Sequence, residues 1–124
     1  MQKKINTEKA PGALGPYSQA VEIDNLVYTS GQLGIDPVTG EMPEGVEAQA
    51  KLALENVKAI LAEAGLEMSS IIKTLVFIKD MNDFGKVNAI YAEYFTGDKP
   101  ARVCYEVAAL PKGALVEIDC IAAK

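Results

Sequence analysis

The sequence predicts an α+β domain, a mixed α/β fold in which one sheet carries two helices on a single face. Two features predict it. Apolar residues alternate in some stretches and recur at steps of three and four in others, in the order ββ-α-β-α-ββ. The stretch Ile71–Ile78 is apolar on both faces, as a strand covered on two sides must be. Two helices are too few to cover both faces of a five- or six-stranded sheet. The uncovered face is therefore expected to meet another copy, giving a homo-oligomer with its sheets turned inward.

The elements follow in chain order. Residues 1–16, rich in Pro, Gly and Ala, read as an irregular lead-in. Tyr17–Ile23 and Leu26–Gly31 are short strands, and Asp24-Asn25 between them is a two-residue hairpin signal. A polar loop, DPVTGEMPEG, follows. Val46, Ala50, Leu54, Val57, Leu61 and Ala64 then mark one face of an amphipathic helix that Gly65 caps. Ile71–Asp80 is a β-branched strand, placed at the centre of the sheet. Asn82 is the predicted N-cap of a second helix, with Phe84, Val87, Tyr91 and Phe95 inward and Gly97 past its end. The strands Arg102–Ala108 and Leu115–Ala122, joined by the turn LPKG, complete the fold.

A length of 124 residues makes one domain, residues 1–124, with an ordinary 49% apolar and 23% charged content. No apolar run reaches the roughly 18 residues that span a bilayer, and the N-terminus lacks a signal-like apolar core. A cytoplasmic protein is expected. The net charge of −5, with basic residues scattered, argues against nucleic acid as a partner. There is no histidine, which excludes a His-based triad, a His general base and the common His-ligated metal sites. Cys104 and Cys120 form no CxxC pair, and in the cytoplasm a disulfide is not expected.

Several polar residues need a reason. In the strand ARVCYEV, alternation puts Arg102, Cys104 and Glu106 on one face and Val103, Tyr105 and Val107 on the other. A guanidinium cannot shed its charge, so Arg102 needs either a protein acid or a ligand. In VEIDCIA, Glu117 and Asp119 share a face, as on a solvent-facing side. Across the LPKG turn, Arg102 and Glu117 are expected as hairpin neighbours, which leaves two readings. One is an ion pair of doubtful net value. The other has Arg102 gripping a substrate carboxylate through its two-pronged edge, with Glu117 the nearby proton-transfer group. Asn88, beside the helix stripe, is either a half-exposed edge residue or a ligand group. Ser30-Gly31 is a strand exit, or a hydroxyl and bare amides offered to a ligand. Tyr17 packs or contacts substrate. Cys104 has no base to activate it and reads as a small apolar wall rather than a nucleophile. Glu106 reads as a rim or salt-bridging residue.

The stretch PARVCYEVAALPKGALVEI at Pro100–Ile118 is similar to the signature of the Rid (YjgF-type) family of enamine/imine deaminases. GPYSQAV at Gly15–Val21, TSGQLGIDPVTGE at Thr29–Glu41, NVKAILAEAG at Asn56–Gly65, KTLVFIKDMNDF at Lys73–Phe84 and VNAIYAEYF at Val87–Phe95 extend the resemblance to nearly the whole chain. It implies a chorismate-mutase-like fold assembled as a homotrimer, with sites in the clefts between subunits. It also implies hydrolysis of 2-aminoacrylate and 2-aminocrotonate, through their imine tautomers, to 2-oxo acids and ammonia, without metal or organic cofactor. By this resemblance Arg102 binds the substrate carboxylate and Glu117 positions or activates water. Tyr17, Ser30, Gly31, Asn88 and the Cys104 backbone line the cleft. Val103, Tyr105 and Asp119 depart from the residues usual at their positions.

Other functions stay open on the residues alone. A small-carboxylate-binding regulatory or interaction module would use the same cleft without turnover. A ribonuclease or translation inhibitor is opposed by the acidity and the missing histidine. A holdase chaperone has no distinctive feature here.

Overall fold

A computed structural model describes all 124 residues. One seven-stranded mixed sheet carries two α-helices, in the order β1 (Gln2–Ile5), β2 (Ala20–Ile23), β3 (Leu26–Thr29), β4 (Gln32–Leu33), α1 (Val46–Glu63), β5 (Ile71–Ile78), α2 (Phe84–Ala92), β6 (Ala101–Glu106) and β7 (Val116–Ala123). Across the sheet the strands run β1-β2-β3-β7-β5-β6, and β4 also pairs with β7.

Both helices lie on one face, as expected, and the handedness of the connections explains it. Strands β3, β5 and β6 are mutually parallel, because β7 runs antiparallel to both β3 and β5 while β5 and β6 pair in parallel. The crossovers through α1 and α2 advance in the same direction along the sheet. Right-handed crossovers then put both helices on the same side. The core forms between them and the sheet: Ala50, Leu54, Val57 and Leu61 of α1 meet Val76, Ile78, Val116, Ile118 and Cys120 of β5 and β7, all nearly or fully buried.

The helix ends follow the sequence at α1. Gly65 takes φ 77°, and the Leu66 amide bonds back to the Leu61 carbonyl at 2.8 Å, closing the cap that Gly65 predicts. At α2 the expectation fails. Asn82 is not an N-cap; it sits inside a 3₁₀ turn, Met81–Asp83, and its own amide donates to Asp80 Oδ1 at 2.9 Å. Four more corrections concern the sheet. Gln2–Ile5 is a strand at the edge rather than irregular lead-in. Gln32–Leu33 is a further short strand on β7. Strand β5 lies beside the edge strand β6 instead of at the centre. Most important, β6 and β7 form no hairpin, because β5 is inserted between them.

The face away from the helices is uncovered in the chain and largely apolar. Leu33, Leu75, Phe77, Val103 and Ile121 are half-buried there, and Tyr28 and Tyr105 are 45% and 56% exposed. No helix of the chain is long and apolar enough to cross a membrane.

Candidate functional site

The structure sorts the residues singled out above into two groups on opposite faces of the sheet. Register decides the faces. Arg102, Cys104 and Glu106 pair with Thr74, Val76 and Ile78, whose side chains are buried toward the helices. Glu117 and Asp119 pair with Phe77 and Leu75, on the uncovered face.

The first group centres on Arg102. Its Nη1 donates to Asn88 Oδ1 at 2.7 Å, and the guanidinium carbon lies 5.4 Å from the Phe84 ring and 4.9 Å from the Tyr91 ring. All three partners belong to α2, where positions 84, 88 and 91 fall on one helical stripe. The helix is pinned to the sheet at two points. Tyr91 and Thr74 hydroxyls share a buried hydrogen bond of 2.7 Å, and the Glu106 carboxylate accepts the Met81 amide at 2.7 Å. Glu106 is therefore a turn cap rather than an ion-pairing residue. Neither ion pair in the chain involves Arg102; they join Lys86 to Asp83 and Lys124 to Glu22. The guanidinium is thus held by an amide and two aromatic faces, with its charge unmatched.

Backbone groups add to this patch. The Val107 amide donates inward to Ile78 O at 2.9 Å. Alternation then turns the N–H and C=O groups of Arg102, Cys104 and Glu106 to the free edge of the sheet. Cys104 is half-buried, and desolvation raises its thiol pKa more than the neighbouring Arg102 lowers it. A thiol held protonated is a poor nucleophile, so its backbone is the more useful part.

The second group surrounds a cavity of about 690 Å³ lined by Tyr17, Ser30, Gly31 and Glu117, together with Asp119 and Lys112. A break between β3 and β4 shapes it. Tyr28 pairs with Ile121 but Gln32 with Ile118, so one extra residue is accommodated at Thr29–Gly31. The Thr29 hydroxyl replaces a ladder carbonyl and accepts the Cys120 amide at 3.0 Å. Ser30 then turns so that its hydroxyl donates to Ser18 O at 2.6 Å, leaving oxygen lone pairs toward the cavity. A Cβ at Gly31 would sit 2.6 Å from Glu117 Oε1, so the Glu117 side chain would have to move to admit one. The Glu117 carboxylate rests on the bare Gly31 backbone. Tyr17 is 51% exposed at the rim. Desolvation pushes the Glu117 carboxyl up, and desolvation with the Glu117 charge pushes Asp119 up to about 6.

Buried amides, which the sequence did not single out, hold the cavity walls. Gln19 accepts the Thr7 amide at 2.6 Å and donates to Pro11 O at 2.8 Å, tying the lead-in to the sheet. Asn56 donates to Leu33 O and Ile35 O at 3.1 and 2.9 Å. Gln49 accepts the Leu115 amide at 2.8 Å. For Gln49 and Asn56 the signal was present, since an amide side chain on the buried stripe of a helix must bond something; Gln19, outside any helix, gave none. No three His, Cys, Asp or Glu side chains gather as a metal-binding set.

Arg102, Asn88 and Cys104 are therefore brought together, as are Tyr17, Ser30, Gly31 and Glu117. The two sets are not brought together within one chain. Strand β5 separates β6 from β7 by two strand spacings, about 10 Å, and the side chains point to opposite faces.

Comparison with known proteins places the chain in a family. A family model described as Endoribonuclease L-PSP matches residues 7–124. The chain is 54% identical to the 2-iminobutanoate/2-iminopropanoate deaminase of Mus musculus, over 98% of this chain and 91% of that protein. It is 52% identical to the protein of the same name from Escherichia coli K12, over 100% and 99%. The crystal structure of E. coli TdcF with bound serine superposes with a TM-score of 0.96, at 49% identity and 98% coverage of each chain. The chain belongs to the Endoribonuclease L-PSP family, the family of the Rid and YjgF proteins.

Proposed function

We propose that the protein hydrolyses reactive 2-enamino and 2-imino acids, such as 2-aminoacrylate and 2-aminocrotonate, to 2-oxo acids and ammonia. The observation that carries the reading is the unmatched, pre-positioned Arg102 guanidinium, with the outward amides of the β6 edge beside it. That set suits a small carboxylate. Relatives named as 2-iminobutanoate/2-iminopropanoate deaminases, and a relative crystallised with serine, support a small ligand that bears a carboxylate.

In this reading the site lies between copies. The half-buried apolar face is what an assembly would cover, and a homotrimer joins the Arg102 edge of one subunit to the Glu117 cavity of the next. Arg102 and the Cys104 amide hold the substrate carboxylate; Asn88 keeps the guanidinium fork in place. Tyr17, Ser30 and Gly31 wall the reacting carbon. Glu117 accepts a proton from water as the water oxygen bonds to the imine carbon. Glu117 returns that proton to the nitrogen, giving a neutral carbinolamine. It then takes the carbinolamine's hydroxyl proton and passes it to the nitrogen as the carbonyl forms, the carbon–nitrogen bond breaks and ammonia leaves. An imine is already electrophilic, so positioning supplies much of the acceleration. A carboxylate made more basic by desolvation is the better base. No residue set here requires a metal or organic cofactor for these steps.

The test couples a dehydratase that releases 2-aminoacrylate to the purified protein and follows decay of the imine. Faster formation of 2-oxo acid supports the reading. Binding of 2-oxobutanoate without any acceleration would leave a carboxylate-binding module instead. The family description as an endoribonuclease finds little support in the cavity, whose carboxylates Asp36, Glu117 and Asp119 repel a polyanion.

A further inference from the structure

The Glu117 cavity poses an electrostatic problem for the substrate just proposed. Its lining holds three carboxylates, Asp36, Glu117 and Asp119, against a single cation, Lys112. Arg102 of the same chain is on the other face of the sheet and offers no compensation there. A 2-imino acid carries a negative carboxylate, so the acid-lined wall that this chain contributes disfavours its approach until the Arg102 brought by the neighbouring subunit takes it.

Lys112 is held in place at a conformational cost. Its backbone has φ 58° and ψ 23°, the left-handed region that a residue with a Cβ seldom adopts and that Gly or Asn tolerates. The turn around it is braced. The Ala114 amide bonds to Pro111 O at 3.1 Å, Ala114 is fully buried, and the Leu115 amide is taken by Gln49. A glycine follows at position 113 and itself has φ 67°, so the chain places lysine at the first of two consecutive left-handed positions. Lys112 joins no ion pair. An exposed, unpaired ammonium on a strained and anchored turn fits a role outside the fold's own stability.

We propose that Lys112 is a specificity-determining residue that draws the anionic substrate into the acid-lined cavity, ahead of its capture by Arg102 of the partner subunit. This rests on the imine-hydrolase reading for the identity of the anion. The ammonium acts through space at the cavity wall, raising the local concentration of small carboxylates relative to neutral analogues. Its effect therefore falls on substrate capture, and it weakens with salt.

The experiment compares wild type with Lys112→Asn, Lys112→Arg and Lys112→Glu in steady-state imine hydrolysis at low and high salt. Asn accepts the left-handed backbone, so folding is retained, and thermal unfolding of each variant checks it. At about 20 mM salt, Lys112→Asn should lower kcat/KM about 3- to 10-fold through KM, with kcat unchanged. Lys112→Glu should lower it further and Lys112→Arg should restore it. The gap should close by about 0.5 M salt, where the Debye length is a few ångströms. Equal kcat/KM at low salt, or a loss that persists at high salt, overturns the proposal. Calorimetry with 2-oxobutanoate separates it from the functional reading. If wild type hydrolyses no imine, that reading fails. Tighter, salt-sensitive binding of the oxo acid to wild type than to Lys112→Asn would still uphold Lys112 as the anion-selecting group, and equal binding would reject it.

Discussion

Arg102 and Glu117 stand on opposite faces of one sheet, with β5 between their strands. If they serve one reaction, they do so from two copies. Complementation tests this directly. Arg102→Ala and Glu117→Gln proteins, each inactive alone, are unfolded together in equal amounts and refolded. In a closed trimer about three-quarters of the assemblies are mixed, and each mixed trimer regains one of its three sites, giving about a quarter of wild-type activity. A site built within one chain gives no recovery, because every chain carries a defect.

The fork geometry of Arg102 sets a second expectation. Its Nη1–Asn88 bond and its place near two aromatic rings leave the remaining donors aimed in fixed directions. Arg102→Ala should reduce kcat/KM at least about 100-fold, the loss of a charge-assisted pair worth roughly 3 kcal/mol. Arg102→Lys keeps the charge but neither fork nor stacking, and should recover less than about a tenth of the wild-type value. Near-complete recovery by lysine would show that charge alone suffices there.

Glu106 connects the Arg102 patch to the sheet through the helix that braces it. Its carboxylate accepts the Met81 amide, which fixes the turn leading into Phe84, Asn88 and Tyr91. Glu106→Ala should cost about 1 kcal/mol of stability, as a lost cap does, and raise KM several-fold with little change in kcat. Glu106→Gln retains an accepting oxygen and should restore KM. Loss of stability with KM unchanged would confine Glu106 to a structural role.

Much of this was legible in the sequence for a physical reason. Periodicity reports burial, so the core-facing stripes of α1 and β5 and the outward pair Glu117/Asp119 could be read directly. The face shared by Arg102 and Cys104 followed from alternation alone. Sheet order could not be read this way. The short LPKG turn suggested a hairpin, yet the residues between Glu106 and Val116 easily span the one strand inserted there. Strand β1 escaped notice because only Ile5 of its four residues is buried. The strand exit at Ser30–Gly31 could be read locally, but the one-residue change of register along β7 could not, since no local pattern records it. The division of the candidate site between two faces was hidden for the same reason, since it depends on which strand lies between two others.

Asp119 supplies a pH dependence whose sign is fixed. Burial, reinforced by the Glu117 charge, lifts its folded pKa from an ordinary 3.8 to about 6, and Glu117 shifts in the same direction. The folded state thus binds protons more tightly than the unfolded chain. Its contribution to stability is fully present below about pH 4 and is lost as pH rises through about 6. A shift of that size corresponds to about 3 kcal/mol for a fully buried group, and partial exposure reduces it to about 1–2 kcal/mol. Glu22, lowered by its bond to Lys124, works in the opposite sense on the exposed surface and loses its contribution in more acidic solution. Urea unfolding at one protein concentration, from pH 4 to 8, should show stability falling across this window in wild type. Asp119→Asn should flatten that fall and be the more stable protein at pH 7. A wild-type profile that rises between pH 4 and 6 would mean that cationic groups brought by assembly, rather than burial, govern this carboxylate.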